Sequence, residues 1–171
     1  EKYIKSYFAP IPKNEDGRDR KYFDVPDHKK PLVKVVSDKE NPYSMVQMYI
    51  KQDKEKGSDH AAYRDNIIKG LYSSMLSARL REKLNEENPP FRFAYGGHTS
   101  LVRTKDAVIL MAMAKNNRVE ESLEILVEES ERVARHGFTK TELARKKIEM
   151  LSSMEKAYKE RDKRKSKDFV S

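Results

Sequence analysis

The chain contains no cysteine, which removes disulfides, thiolate metal sites and thiol nucleophiles together. It has four histidines, His28, His60, His98 and His136, and no two of them fall within one or two helical turns. Neither HExxH nor its inverted form HxxEH occurs, so the ligand spacing of a self-contained zinc site is missing. Long apolar runs are missing too. The longest, Ala107 to Ala114, is far too short to cross a bilayer, so no membrane span is expected. The opening residues Glu1-Lys2-Tyr3-Ile4-Lys5 lack the apolar run and small-residue cleavage site of a secretory leader, and no Met begins the chain. A mature, trimmed or excised chain is the expectation.

Charged and hydrophobic types each make up 37% of the 171 residues, which suits one soluble amphipathic domain. The net charge of +8 raises nucleic acid as a partner, because clustered Lys and Arg release phosphate counterions on binding. The distribution argues against it. Acidic residues are interleaved, as in Glu120-Glu121 and Glu128-Glu129, and the densest basic segment, Lys156 to Lys167, contains Glu160 and Asp162. A solvated helix face is expected there, with no nucleic acid bound.

Tyr3, Ile4, Tyr7 and Phe8 recur at helical spacing until Pro10 and Pro12 forbid continuation. A polar turn follows over Asn14 to Arg18. Tyr22 to Val25 and the β-branched run Leu32 to Val36 predict two strands, and Val46, Met48 and Ile50 alternate with polar partners in a third. Ser58 or Asp59 caps a long helix with Ile67, Ile68, Leu71, Met75, Leu76, Leu80 and Leu84 inward, ended by Asn88-Pro89-Pro90. Phe91 to Tyr95 and Ala107 to Ala114 predict an antiparallel pair, with a bulge or turn at Gly96-Gly97. A helix then places Val119, Leu123, Leu126, Val127 and Val133 inward and closes at Gly137. Thr139 and Glu142 form a capping box that starts the last helix, with Phe138 and Leu143 as its staple. Its buried stripe is predicted as Leu143, Ile148, Leu151, Met154 and Tyr158. The fold class is α+β, a mainly antiparallel sheet covered by long helices. One domain spans 1–171, with an entry helix end and turn over 1–18 and the body over 19–171; the abrupt ends at Glu1 and at Phe169-Val170-Ser171 are expected of an excised piece.

Few residues of the chain are arranged for chemistry. Asp59-His60 is explained by capping, and His136 by the favourable place of a cation at a helix C-terminus. His98-Thr99-Ser100 lacks the strand-to-helix elbow that activates a serine. Gly96-Gly97 matches neither a phosphate loop nor a dinucleotide fingerprint. No carboxylate pair stands out for acid/base work. Phe91, Phe93 and Tyr95 are expected as core residues, because the glycine and basic flanks of an RNA-binding sheet are absent.

One ordered set of residues resembles a known family. Leu71-Tyr72-Ser73-Ser74-Met75-Leu76-Ser77-Ala78-Arg79-Leu80-Arg81-Glu82-Lys83-Leu84 is similar to the mLnxRLxEl helix of insulinase or pitrilysin-type (inverted-zincin) zinc peptidases. Asn88-Pro89-Pro90-Phe91, Ser100-Leu101-Val102-Arg103-Thr104-Lys105-Asp106, Gly137-Phe138-Thr139 with Glu142-Leu143, and Glu155-Lys156-Ala157-Tyr158 with Glu160-Arg161-Asp162-Lys163 follow in order. Upstream, Lys5-Ser6-Tyr7-Phe8, Val25-Pro26-Asp27 and Ser37-Asp38-Lys39-Glu40 look like the family's entry into its second domain.

The resemblance is to the second, non-catalytic domain of the N-terminal half of the large bacterial four-domain type. It implies a structural and substrate-chamber role in a zinc-dependent metalloendopeptidase, with HxxEH and the zinc in the parent's preceding domain and no catalytic, cofactor or metal residue in this chain. The implied partners are the adjacent catalytic domain, the opposite half of the same parent and peptide substrates, and the implied location is the bacterial envelope or periplasm. Arg81 matches a substrate-binding Arg of the fourth domain by position, and Tyr95 is the counterpart of its Tyr across the interrupting Glu86 to Phe93. Two alternatives stay open: a free-standing basic module for nucleic acid or acidic peptides, and a domain of an inactive paralogue with an assembly role.

Overall fold

The computed structural model describes residues 1–13, 16–55, 57 and 59–165. Asn14 of the expected turn, the alternative cap Ser58, Lys167 and the terminal Phe169-Val170-Ser171 lie outside the described residues. Helix α1, Lys2–Phe8, stops before the two prolines. Strand β1, Ser44–Asp53, is followed by helix α2, His60–Glu82, then by strands β2, Phe91–Ser100, and β3, Lys105–Ala114. Helices α3, Val119–His136, and α4, Lys140–Lys159, close the order.

The sheet has three strands in the order β1-β3-β2, with both pairings antiparallel. β3 takes the centre because its residues are nearly all apolar and tolerate cover on both faces. Alternation along the strands puts Val46, Met48, Ala94, Leu110 and Ala112 on the helix side, where they join Leu76, Leu80, Phe91, Leu126 and Val133 in one core. Asp59 caps α2, its side chain accepting from the Ala62 amide at 2.9 Å. Thr139 and Glu142 exchange the two hydrogen bonds of the capping box at the start of α4, and Gly137 closes α3 at φ +67.

Several expectations are corrected. Tyr22–Val25 and Leu32–Val36 are not strands: the second segment is irregular, with Leu32, Val33, Val35 and Val36 between 78% and 87% exposed. β-propensity measures fit to a pleated, half-buried surface, and no neighbouring strand supplies that surface among the described residues. Strand β2 runs straight through Gly96-Gly97, and its register shift lies at Phe91/Phe93 instead. Only Phe91 of the three β2 aromatics is core, since Phe93 is exposed and Tyr95 half-buried. Ile50 and Ile68 are also exposed, and Val119, Leu123 and Val127 lie at the margin of the core rather than in it.

The stripe Ile148, Leu151, Met154 and Tyr158 of α4 is 47% to 67% exposed. α4 turns Glu142, Leu143, Lys146 and Met150 inward, and its longer apolar stripe looks away from α2. The periodicity was amphipathic as expected, but a stripe shows only that a helix has two unlike faces. Which face this domain covers is set by the Glu142 contact described below.

Candidate functional site

Two places on α2 gather polar side chains. The first is its seam with β2. Ser73 and Ser77, one turn apart, face the outer edge of that strand. Ser77 Oγ donates to the Gly96 carbonyl at 2.9 Å and accepts from the Gly96 amide at 3.4 Å. Ser73 Oγ donates to the Lys69 carbonyl at 2.7 Å and accepts from the His98 amide at 2.9 Å. Backbone groups on an edge strand need partners, and here helix hydroxyls supply them. The seam is tight because residues 96 and 97 are glycine: a Cβ on Gly97 would lie 2.6 Å from Ser73 Cβ.

Where α2 diverges from the strand ends, a cavity of 490 Å³ opens, lined by Lys54, Lys69, Ser73, Tyr95, His98 and Asp106 among others. Lys69 Nζ reaches Glu55 Oε2 at 2.9 Å, and Lys54 Nζ donates to Ser100 Oγ at 3.1 Å. Contact with Glu55 raises the Lys69 pKa. The His98 ring meets the Tyr72 ring edge-on at 5.4 Å. Burial, reinforced by Lys69, lowers the His98 pKa below its ordinary 6.5, and burial raises that of Tyr72.

The lowered His98 pKa has a signed consequence for stability. Unfolded His98 takes its proton near 6.5 while the folded form resists it, so the unfolded state binds more protons in that window. Stability is therefore full above 6.5 and falls as pH drops through the lower folded value. Urea midpoints measured from pH 7.5 to 5 are expected to fall in the native chain, and less steeply in His98→Gln.

The second place is an ion-pair cluster joining three helices. Arg79 Nε and Nη2 donate to both oxygens of Glu142 at 2.6 and 2.9 Å, Nη1 to Glu129 at 3.2 Å, and Nη2 to the Gly137 carbonyl at 3.1 Å. The guanidinium lies 4.9 Å from the centre of the Phe138 ring, a cation over an aromatic face. Arg79 and the capping-box bonds from Thr139 hold the Glu142 carboxyl down to about 2. Contact with Glu142 and Glu129 raises the pKa of Arg79. This is architecture: the Arg79 donors are aimed at the middle of α3, at its C-terminal end and at the first turn of α4.

Of the two substrate contacts implied by resemblance, Tyr95 lines the cavity and Arg81 does not. Arg81 is exposed and bonds back to the Ser77 carbonyl at 3.3 Å. Sequence reasoning missed Lys69, the Ser73/Ser77 pair and Arg79. Serines one turn apart on an otherwise apolar helix face were the available signal for the seam. The His98 ring makes no hydrogen bond to a hydroxyl or carboxylate among the described residues, and Ser100 is engaged by Lys54. Nothing there activates a nucleophile. Among the described residues, no three His, Asp or Glu are grouped to hold a metal ion, and no helix is long and apolar enough to cross a membrane.

Residues 1–150 match the family model described as the Peptidase M16 inactive domain. The chain belongs to that family. No curated protein gives a significant match. Among solved structures, the periplasmic protease PqqL from Escherichia coli is similar at TM-score 0.78 and 16% identity, covering 97% of this chain and 18% of that one. The first half of the same protease is similar at TM-score 0.76 and 16% identity, covering 95% of this chain and 35% of that one. At such identity the likeness is one of fold, and this M16 inactive domain spans under a fifth of the full PqqL chain. The family assignment agrees with the insulinase-type resemblance and with a non-catalytic domain, and the α+β fold is the one expected.

Proposed function

We propose that this M16 inactive domain forms wall and scaffold of the substrate chamber of a zinc-dependent metalloendopeptidase, with the zinc held in the parent's preceding domain. The observation that carries it is the one-sided sheet. Helices cover the Val46-Leu110-Ala94 face, while on the opposite face Met45 and Phe93 stand beside Met113, Tyr95 beside Met111, and Tyr49 beside the buried Ile109. Met45, Tyr49 and Phe93 are each over 40% exposed. Methionine and aromatic side chains at such a surface adapt to varied apolar partners, as a peptide chamber requires. PqqL, similar in fold, is described as a periplasmic protease, which supports an envelope location and peptide substrates for the parent.

The test is to express the chain alone and joined to its preceding catalytic domain, then measure bound zinc and peptide cleavage. Both are expected only in the joined protein; stoichiometric zinc or cleavage by the chain alone would falsify the proposal. In the joined protein, Tyr95→Ala is expected to raise KM about three- to tenfold with little change in kcat, the mark of lost uniform binding. Arg81→Ala tests the second contact and, standing outside the cavity, is expected to have the smaller effect.

A further inference from the structure

Edge strands invite pairing unless something blunts them, and the two edges of this sheet are treated differently. The outer edge of β2 is closed by Ser73 and Ser77. β1 pairs with β3 along its whole length, Ser44 to Asp53, on one side only. On the other side, no backbone hydrogen bond reaches β1 among the described residues. β1 carries no proline and no bulge, and its charged residues, Lys51 and Asp53, lie at its C-terminal end, leaving Ser44–Ile50 without the usual devices against strand addition.

The same chain carries a β-branched segment that joins no sheet. Leu32, Val33, Val35 and Val36 are almost fully exposed, and no backbone hydrogen bond is made within Leu32–Val36. Its flanks are held near the sheet. Asp27 accepts from buried Lys105 at 3.1 Å, the Phe23 carbonyl accepts from Thr104 Oγ1 at 3.3 Å, and Lys51 Nζ donates to the Pro26 carbonyl. Beyond it, the Asn41 amide donates to the Asp38 carbonyl at 3.3 Å in a turn that leads to β1. Leu32–Val36 is tethered to the sheet through the segment before it and runs into β1 through the turn after it, and it pairs with no strand among the described residues.

We propose that these two unsatisfied elements satisfy each other between units of this fold: Leu32–Val36 of one copy adds to the outer edge of β1 in a second copy, and reciprocally. Donor and acceptor lie on one chain, and reciprocal exchange between the same two copies closes the assembly by a two-fold axis. The occupant fits. Val33 and Val35 project to one face of the donated strand, and Leu32 and Val36 flank Lys34 on the other. Backbone pairing supplies affinity and alternate side chains supply register. This assembly surface is independent of the chamber proposal.

The 171-residue chain is examined by analytical ultracentrifugation across concentration, with hydrogen exchange on the same samples. A dimer is expected in which residues 32–36 and β1 gain protection together as concentration rises. Val35→Pro removes an amide and the β-branched side chain from a segment that is almost fully exposed and makes no hydrogen bond among the described residues, so the melting temperature of the dilute chain stays put. Its dimer dissociation constant is expected to rise at least about tenfold. A chain that stays monomeric overturns the proposal, whether 32–36 exchanges freely or is protected by folding onto its own β1. So does a dimer that Val35→Pro leaves unchanged.

Discussion

Arg79→Met is expected to destabilise the chain by about 3–5 kcal/mol, the usual cost of removing one partner from a buried ion pair. The lost attraction is only part of the reason. Glu129 is 4% exposed and Glu142 18%, so the variant leaves two carboxylates largely away from water, Glu129 with only Arg132 at 3.4 Å and Glu142 with only its bonds from Thr139. Phe138 loses the cation over its ring and the Gly137 carbonyl loses a donor, which loosens the junction between α3 and α4. For a chain of this length the change corresponds to a fall in melting temperature on the order of 10 °C. Arg79→Lys keeps the charge but loses the two-pronged contact with Glu142, and is expected to fall between the two. Adding Glu129→Leu to Arg79→Met removes one stranded charge and is expected to recover part of the loss. Acid offers a second check. Glu142 ordinarily titrates near 4.5 and in the fold near 2, so its contribution is full above 4.5 and lost as pH falls through about 2. Arg79 is the largest cause of that shift, so the gap between native and variant chains should narrow as pH falls from 4.5 towards 2. A gap that stays constant across that range would count against the cluster as its source.

Arg79 also marks a limit of what the sequence disclosed. Helices α2, α3 and α4 and the pairing of β2 with β3 were legible, because caps, glycine stops and apolar periodicity are local signals. In the sequence Glu129 stands out only as half of the acidic pair Glu128-Glu129. Its burial depends on an arginine 50 positions away, and no local pattern contains that. Leu32–Val36 and the outer stripe of α4 failed for a related reason: the pattern revealed a face that prefers cover, but not whether this domain provides it. The cavity was hidden in a different way. It forms where a helix lies close to a strand and then departs, so its lining comes from residues scattered between 54 and 106. Tyr95 was singled out only through family resemblance, by which Arg81 came with it; the structure separates them.

Gly97→Ala is expected to cost about 2–3 kcal/mol, at the upper end of the usual overpacking range. The added Cβ would stand 2.6 Å from Ser73 Cβ, 2.7 Å from Ser73 Oγ and 2.9 Å from Tyr95 Oη. Ser73 Cβ is fixed to the helix backbone, so relief requires α2 itself to retreat from β2. That retreat stretches the His98 amide bond to Ser73 at 2.9 Å and leaves an edge amide short of a partner. Gly96→Ala is the natural comparison. Its Cβ meets Leu76 Cδ2 at 2.7 Å and Cγ at 2.9 Å and Leu110 Cδ2 at 3.0 Å, side chains that are fully buried in the core, so a comparable loss of about 2–3 kcal/mol is expected, one that Ser73→Gly does not relieve. The decisive measurement is a double-mutant cycle in urea. Ser73→Gly alone loses helix propensity and the hydroxyl bond, yet it removes the two nearest atoms that Gly97→Ala strikes and leaves only Tyr95 Oη, the end of a side chain. The pair is therefore expected to be less destabilised than the sum of the singles by at least about 1 kcal/mol. Strict additivity would mean that the glycine is required for something other than the approach of α2. Because the seam forms one wall of the cavity, the retreat should also appear in the joined protein as a rise in KM for peptide, which the double variant partly reverses.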